Sequence, residues 1–143
     1  MIKNIYVKNK DQKSNLIATG NQNTVVNLFN PYVNEPNGIL KGHSRIVLAV
    51  KFMSSRSQLI SFSADKILRI WNVPLQICIQ RIANVFPKGP EVDVTLWFDD
   101  LAGRLFITFR YTLLMMEIKP GKFFIKILKH GNININFFNE RNN

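Results

Sequence analysis

The chain has 143 residues, which is enough for one ordinary domain or for a part of a larger one. Apolar residues make up 46% of the sequence, which argues against wholesale disorder, and the single cysteine excludes an intramolecular disulfide framework. The formal charge of +10 favours an acidic partner, but the lysines are scattered, as on a solvated basic surface. No apolar run approaches the roughly 20 residues of a membrane span and no signal peptide is evident, so we expect a cytosolic chain without membrane contact.

Short strands are predicted along almost the whole chain. In chain order, the strand-forming stretches begin with residues 15–30 (NLIATGNQNTVVNLFN), and four clearer ones follow: 46–52 (IVLAVKF), 58–63 (QLISFS), 67–72 (ILRIWN) and 76–82 (QICIQRI). No segment sustains an apolar period of 3.6 residues, so little or no helix is expected. Strands with turn signals every eight to twelve residues are typical of a sandwich, a barrel or a propeller blade.

The spacing of aromatic residues indicates an internal repeat. Placing Phe29 over Trp71, a spacing of 42 residues, makes residues 15–30 a degenerate copy of 58–72. A third copy, residues 103–119 (GRLFITFRYTLLMMEIK), puts Met116 in the position of Trp71. A repeat of about 40–45 residues with four strands in each unit is the pattern of propeller blades. The repeat therefore favours a propeller over a sandwich or a barrel.

On these residues the chain resembles the WD-repeat β-propeller family, with Gly-His before the first strand of the blade and Trp-Asn at the end of the third. The resemblance covers about residues 4–129 and implies an all-β fold, a partial β-propeller of about three four-stranded blades. The expected divisions are a degenerate first blade (1–41), a well-formed blade (42–83), a degenerate third blade (84–129), and a polar tail or the start of a further strand (130–143). Because a closed propeller needs at least four blades, we expect a fragment of a larger propeller, or a chain completed by another chain.

The resemblance also implies a structural role for polar residues of the well-formed blade. In WD-repeat blades, a His, a Ser or Thr, a turn Asp and a Trp form a hydrogen-bonded network. By motif position these residues are His43, Ser61 or Ser63, Asp65 and Trp71. Ser61 and Ser63 lie on the same face of their strand, so spacing leaves both open. A catalytic His43–Asp65 dyad beside a serine is the less favoured interpretation, because the family places these residues inside a blade.

The degenerate blades lack most of this network. The first has Phe29 in place of the Trp and no Gly-His, and the third has Arg110 in place of the turn Asp. Apolar packing is expected to stabilise them instead, at roughly 1.5–3 kcal/mol for each buried side chain. The expected core residues are Leu16, Val25, Val26 and Leu28 in the first blade and Leu105, Ile107, Leu113, Leu114 and Ile118 in the third.

No pattern of a catalytic or metal site is found in the sequence. The chain has two histidines, His43 and His130, and no Cys or His spacing that suits zinc. It has no P-loop, dinucleotide fingerprint or nucleophile elbow. Cys78 lies in an alternating strand and is predicted to be a buried, inert thiol. We therefore expect no enzyme activity, no cofactor, no metal and no small-molecule substrate.

A narrower resemblance extends across residues 59–119. The run LISFSADKILRIWNVPLQICIQRI, then VFPKGPEVDV, then RLFITF and TLLMMEIK is similar to the large, in part EF-hand-containing WD-repeat proteins of motile cilia and flagella. No EF-hand loop occurs in this chain, so calcium sensing is not carried over. The resemblance implies a non-catalytic scaffold for protein interactions in the cytoplasm and cytoskeleton, within the ciliary axoneme. The alternative is a cytosolic WD-repeat adaptor in a ribonucleoprotein or another large complex.

Partner contacts are expected on loops and blade edges, since the blade interiors are used for packing. The predicted partners are other proteins of a large assembly, and nucleic acid is the less favoured partner. Residues 85–92 (VFPKGPEV) contain two prolines and are predicted to form a rigid connection between blades, or a protruding contact. The candidate contact residues are Pro87, Lys88, Lys122 and Lys126.

Overall fold

The computed structural model describes residues 7–20, 22–84, 86, 94–109, 112–119, 122–129 and 132–136, with side chains described for 10–20, 22–84, 86, 94–108 and 112–119. These residues form two compact units, Met1–Gly89 and Pro90–Asn143. A single 3-10 turn, Ser54–Arg56, is the one helical element within these ranges, and none of their helices is long and apolar enough to cross a membrane. The prediction of an all-β chain with little or no helix is confirmed.

The first unit contains two antiparallel sheets of four strands each. The first sheet has β1 (Val7–Lys10), β2 (Ile17–Gly20), β3 (Val26–Phe29) and β4 (Pro36–Leu40). The second sheet has β5 (Val47–Met53), β6 (Gln58–Ser63), β7 (Leu68–Asn72) and β8 (Ile77–Ile82). Within each sheet the strands are hydrogen-bonded in chain order, so each sheet is a simple meander of hairpins.

The core of the first unit lies where β5 packs against β1 and β2. This core forms because apolar residues occupy the inward-facing positions along these strands. The first sheet contributes Leu16, Ala18, Val26, Leu28 and Leu40, and the second contributes Val47, Val50, Phe52, Leu59, Trp71 and Val73. Val25, which was expected in this core, is only half-buried.

Polar side chains close the turns of the second sheet. The Asp65 carboxylate accepts the Ile67 N–H at 3.0 Å, and Lys66 takes a left-handed φ of 63° between them. At the end of β7, the Asn72 side-chain oxygen accepts the Leu75 N–H at 2.9 Å. Asp and Asn favour such bonds from backbone N–H groups to their side chains in short connections, so the turn residues seen in the sequence stabilise the hairpins.

The second unit is one antiparallel sheet of five strands. Its members are β9 (Thr95–Asp99), β10 (Arg104–Phe109), β11 (Thr112–Lys119), β12 (Lys122–Lys129) and β13 (Asn132–Asn136), hydrogen-bonded in chain order. The buried side chains described in it are Leu96, Phe98, Leu105, Ile107, Leu114, Met116 and Ile118. Leu113, another expected core residue, is half-buried. β13 extends this sheet beyond the four strands of a single blade.

Candidate functional site

Four polar or aromatic side chains converge inside the second sheet. His43 precedes β5, Ser61 lies on β6, Asp65 lies in the turn after β6, and Trp71 lies on β7. His43, Ser61 and Trp71 are buried, and the Ser61 side chain is 0% exposed. Because β5, β6 and β7 are hydrogen-bonded neighbours, residues that are far apart in the chain meet at one point of the sheet.

These side chains form one continuous chain of hydrogen bonds. The Trp71 Nε1–H donates to Ser61 Oγ at 2.8 Å. Ser61 Oγ lies 2.7 Å from His43 Nε2, and His43 Nδ1 lies 3.1 Å from Asp65 Oδ2. Because Trp71 offers only a donor, Ser61 accepts from it and donates its own hydrogen to His43 Nε2. Neutral His43 then carries its proton on Nδ1 and donates it to the carboxylate, so every donor in the chain has an acceptor.

The electrostatics of the site favour a neutral imidazole beside an ionised carboxylate. Burial lowers the pKa of His43, and this effect outweighs the attraction of its proton to Asp65. Burial alone would raise the pKa of Asp65, but hydrogen bonds from the Ser44 and Ile67 backbone and the neighbouring His43 leave that pKa below its usual value. The Ser44 N–H donates to Asp65 Oδ2 at 3.0 Å.

The geometry distinguishes the two serines that spacing left open. Ser61 contacts both His43 and Trp71. Ser63 instead donates its hydroxyl hydrogen to the Arg45 carbonyl at 3.0 Å and accepts the Asp65 N–H at 3.3 Å. Ser61 therefore joins the network, whereas Ser63 stabilises the adjoining turn.

The order of Asp65, His43 and Ser61 matches that of a catalytic triad, but the surroundings do not suit catalysis. A nucleophilic serine must reach a substrate, whereas Ser61 has no exposed surface and its oxygen already accepts the Trp71 N–H. Two surface cavities described in the first unit, of about 330 and 420 Å³, have neither Ser61 nor His43 in their walls. In the part of the chain that the structure describes, no group of three or more His, Cys, Asp or Glu side chains could hold a metal ion.

Arg69 lies on β7, two residues before Trp71, and contacts the same site. Its guanidinium lies 5.9 Å from the centre of the Trp71 ring, and Nη2 donates to the Gly42 carbonyl at 2.8 Å. A Cβ at Gly42 would lie 3.0 Å from that guanidinium, so this close approach favours glycine before His43. The Gly-His pair of the sequence is thus explained by contacts of both its members.

A second polar cluster, which sequence reasoning missed, joins the two sheets of the first unit. Asp11 follows β1 and is buried; its carboxylate accepts hydrogen bonds from the Ser14 N–H at 2.8 Å and from the Ser14 and Ser54 hydroxyls. Burial alone would raise the pKa of Asp11, but the hydrogen bonds from the two hydroxyls and from the Ser14 and Lys13 backbone leave that pKa below its usual value. The Asp-x-x-Ser turn is visible in the sequence, but nothing local indicates that Ser54, from the other sheet, completes it.

The structure describes only the backbone of two of the four candidate contact residues. Pro87 and Lys88 lie outside the described residues. Lys122 and Lys126 belong to β12, for which the structure describes the backbone and not the side chains.

Cys78 is half-buried, packs against the core of the first unit, and accepts a hydrogen bond from Arg69 Nη1 at 3.4 Å.

Comparison with known proteins gives several partial relatives. No family model matches the sequence. The nuclear distribution protein nudF of Aspergillus oryzae is 38% identical over 66 residues, 46% of this chain and 14% of that protein. Pre-mRNA-processing factor 19 of Mus musculus is 36% identical over 69 residues, 48% of this chain and 14% of that protein. Protein TOPLESS of Arabidopsis thaliana is 34% identical over 61 residues, 43% of this chain and 5% of that protein. The chain thus spans only a small part of the length of these relatives.

A solved structure agrees with the fold. A chain in the crystal structure of the mitotic checkpoint complex superposes on 90% of this chain with a TM-score of 0.73, at 14% sequence identity, and this chain covers 41% of it. The sequence relatives are WD-repeat proteins, and this structural neighbour is a WD40 propeller. The prediction of a partial β-propeller is therefore confirmed, together with the resemblance to WD-repeat proteins.

Proposed function

We propose that this chain is a non-catalytic scaffold that binds other proteins. The observation that carries the proposal is the burial of the Asp65–His43–Ser61–Trp71 network. The side chains best suited to chemistry contact one another inside a sheet, and the serine is 0% exposed. The WD-repeat relatives and the propeller fold agree with such a role.

Exposed apolar side chains at corresponding turns support protein contacts. The turns between the third and fourth strands of the two sheets in the first unit carry Tyr32 and Val33 in one and Leu75 in the other, and all three are exposed. Val33 and Leu75 occupy equivalent positions of the 42-residue repeat. Large apolar and aromatic side chains are frequent anchors of protein interfaces, so these turns are candidate contacts in an assembly.

The assembly that we propose first is the ciliary axoneme, with the chain in the cytoskeleton. Its support is the sequence resemblance across residues 59–119. A second candidate is a ribonucleoprotein or another nuclear or cytosolic complex. Its support is the similarity to pre-mRNA-processing factor 19 together with the formal charge of +10, which suits contacts to phosphates.

Cross-linking mass spectrometry on the assembly isolated from cells that express the full-length protein tests the proposal. Discrete cross-links to other proteins are expected, and neighbours from the axoneme would support the first placement. Loss of those neighbours after ribonuclease treatment, or a steep fall of association with salt, would favour the second placement. A purified full-length protein that turns over a substrate through Ser61, with activity lost in Ser61→Ala, would refute the scaffold role.

A further inference from the structure

β8 is an edge strand with an unusual surface. Among the described strands of its sheet, β8 pairs only with β7, whereas the opposite edge strand, β5, packs against β1 and β2. An edge strand presents a row of backbone N–H and C=O groups that can pair with another chain. Proteins usually protect such edges with short strands, proline, charge, a β-bulge or a covering element.

The side chains of β8 protect its edge poorly. Exposure alternates along the strand, and Ile77, Ile79 and Arg81 are the exposed positions. Ile77 is 51% exposed and Ile79 is 41% exposed. The corresponding strand of the first sheet, β4, is short and contains a proline and a glycine, although its Ile39 is similarly exposed at 45%. Two exposed isoleucines at alternate positions therefore occur on β8, whereas β4 has one beside its proline and glycine.

A basic cavity lies at the C-terminal end of β8. It has a volume of about 420 Å³ and is lined by Asp65, Lys66, Ile67, Arg81, Ala83, Asn84 and Phe86. The lining carries two cationic side chains, Lys66 and Arg81, against the single carboxylate of Asp65, which already accepts hydrogen bonds from His43 and from the Ser44 and Ile67 backbone, so the formal charge of the lining is positive. Along β8, two apolar positions are therefore followed by a cationic one at the same alternate spacing.

We propose that β8 binds an extended acidic segment of another protein as an added strand. Apolar residues at two alternate positions of the segment would contact Ile77 and Ile79, and a carboxylate at the next alternate position would pair with Arg81 at the mouth of the cavity. Backbone hydrogen bonds supply affinity in this mode of recognition, and alternate side chains supply specificity. This inference rests on the proposed scaffold function and assigns a surface and a kind of partner to it.

Charge favours this occupant over a second copy of the chain. A second copy brings the same formal charge of +10 and the same Arg81 to the contact, so self-pairing is opposed at low ionic strength. An acidic segment is instead attracted to the basic end of the strand. The edge also needs an extended partner, because only an extended backbone matches the spacing of unpaired groups along a strand.

A peptide-binding experiment on the full-length protein tests the proposal. The probe is a fluorescein-labelled peptide of about ten residues, in which valine occupies two alternate positions, glutamate the next alternate position, and threonine the remaining ones. A second peptide carries arginine in place of glutamate. Fluorescence anisotropy is measured with the unmodified protein, with Ile79→Lys, with Arg81→Glu, and with Ile39→Lys as the matched control on β4. Circular dichroism verifies that each variant is folded.

The glutamate peptide is expected to bind the unmodified protein and the Ile39→Lys control equally. Both β8 variants should weaken binding by about tenfold, and Arg81→Glu should shift the preference to the arginine peptide. Equal binding to all variants, or no binding to the unmodified protein, would overturn the proposal, as would displacement of the peptide by single-stranded oligouridine that depends on Arg81. Cross-links to partner proteins that persist in the β8 variants would leave the scaffold function intact and refute only the β8 site.

Discussion

At the scale of single residues, Trp71 contributes both packing and a hydrogen bond. It is the largest fully buried side chain among the described residues, and its indole N–H binds Ser61. We expect Trp71→Ala to lower the free energy of unfolding by about 3–5 kcal/mol, because it leaves a large cavity. Urea unfolding of the full-length protein measures the loss. The exposed Trp97 is the control, and Trp97→Ala should cost less than about 1 kcal/mol; equal losses would contradict the role given to Trp71.

The protonation of His43 predicts a loss of stability in acid. Burial lowers its pKa from 6.5, so the unfolded chain takes up this proton at a higher pH than the folded chain. The stability that neutral His43 contributes to the folded protein is fully present above about pH 6.5. It is lost as the pH falls through the lowered pKa of the folded state. A second proton on the imidazole would also leave the Ser61 hydroxyl hydrogen without its acceptor.

Unfolding free energies at about pH 7.5 and about pH 5.5 test this prediction. The unmodified protein should be less stable at the lower pH. The matched variant His43→Gln, which retains His130, should be less stable at both values and show a smaller difference between them. The same pH dependence in both proteins would show that His43 is not its source.

Sequence reasoning left the serine of the network open between Ser61 and Ser63. The resemblance to WD-repeat blades implied that His43, Asp65 and Trp71 meet, and the structure places them in one chain of hydrogen bonds. The choice between Ser61 and Ser63 needed coordinates, since both side chains are buried and face the same side of β6. The two serines differ in their neighbours: Ser61 lies beside His43 and Trp71, and Ser63 lies beside the Arg45 carbonyl.

At the scale of elements, the Asp11 cluster is expected to couple the two sheets of the first unit. Its carboxylate accepts hydroxyl hydrogen bonds from Ser14 in its own turn and from Ser54 after β5. We expect Asp11→Ala to destabilise the protein by about 1–3 kcal/mol, because hydrogen bonds to a charged group are lost. The two residues should also be energetically coupled.

A double-mutant cycle of Asp11→Ala and Ser54→Ala measures that coupling. The double variant should lose less stability than the two single variants together, by about 0.5–3 kcal/mol. A parallel cycle with Asp11→Ala and Ser44→Ala is the control. Ser44 donates hydrogen bonds to Asp65 and not to Asp11, so the stability losses of these two variants should be additive. Full additivity in the Asp11–Ser54 cycle would show that the bridge contributes no stability.

Strand positions were predicted best where β-branched and apolar residues alternate between polar turns. The predicted strands 46–52, 58–63, 67–72 and 76–82 agree within one residue with β5 to β8. β4 was not predicted, because its sequence PNGIL contains a proline and a glycine and shows no alternation. Such a strand is specified by its neighbour in the sheet and not by its own residues.

At the scale of the whole molecule, the number of sheets predicts behaviour in isolation. The described residues form three sheets, whereas closure of a propeller needs at least four blades. We therefore expect the 143-residue chain, expressed alone, to be insoluble or oligomeric, because unclosed sheets leave edges and apolar faces to associate. Sedimentation velocity checks the prediction, and a monodisperse monomer that unfolds cooperatively would contradict it.

The fold was more accessible to sequence reasoning than the partners. Repeats, turns and buried side chains follow from local pattern, and they were sufficient to predict a propeller. A partner surface depends on which side chains remain exposed after folding. The exposed Ile77 and Ile79 of β8 could not be told from core residues by sequence, because an alternating apolar strand looks the same at an edge as in the middle of a sheet.

The order of the strands has a consequence for synthesis in the cell. Every strand pair in the three sheets joins neighbours in the sequence, so each strand pairing closes a short loop. Topologies with local contacts fold faster than those with distant pairings, because less loop entropy is lost before contacts form. Each hairpin of this chain can thus form soon after it leaves the ribosome, while later strands are still being translated. The exposed edge at β8 would then exist first on a nascent chain, when an added strand from a partner or a chaperone can reach it.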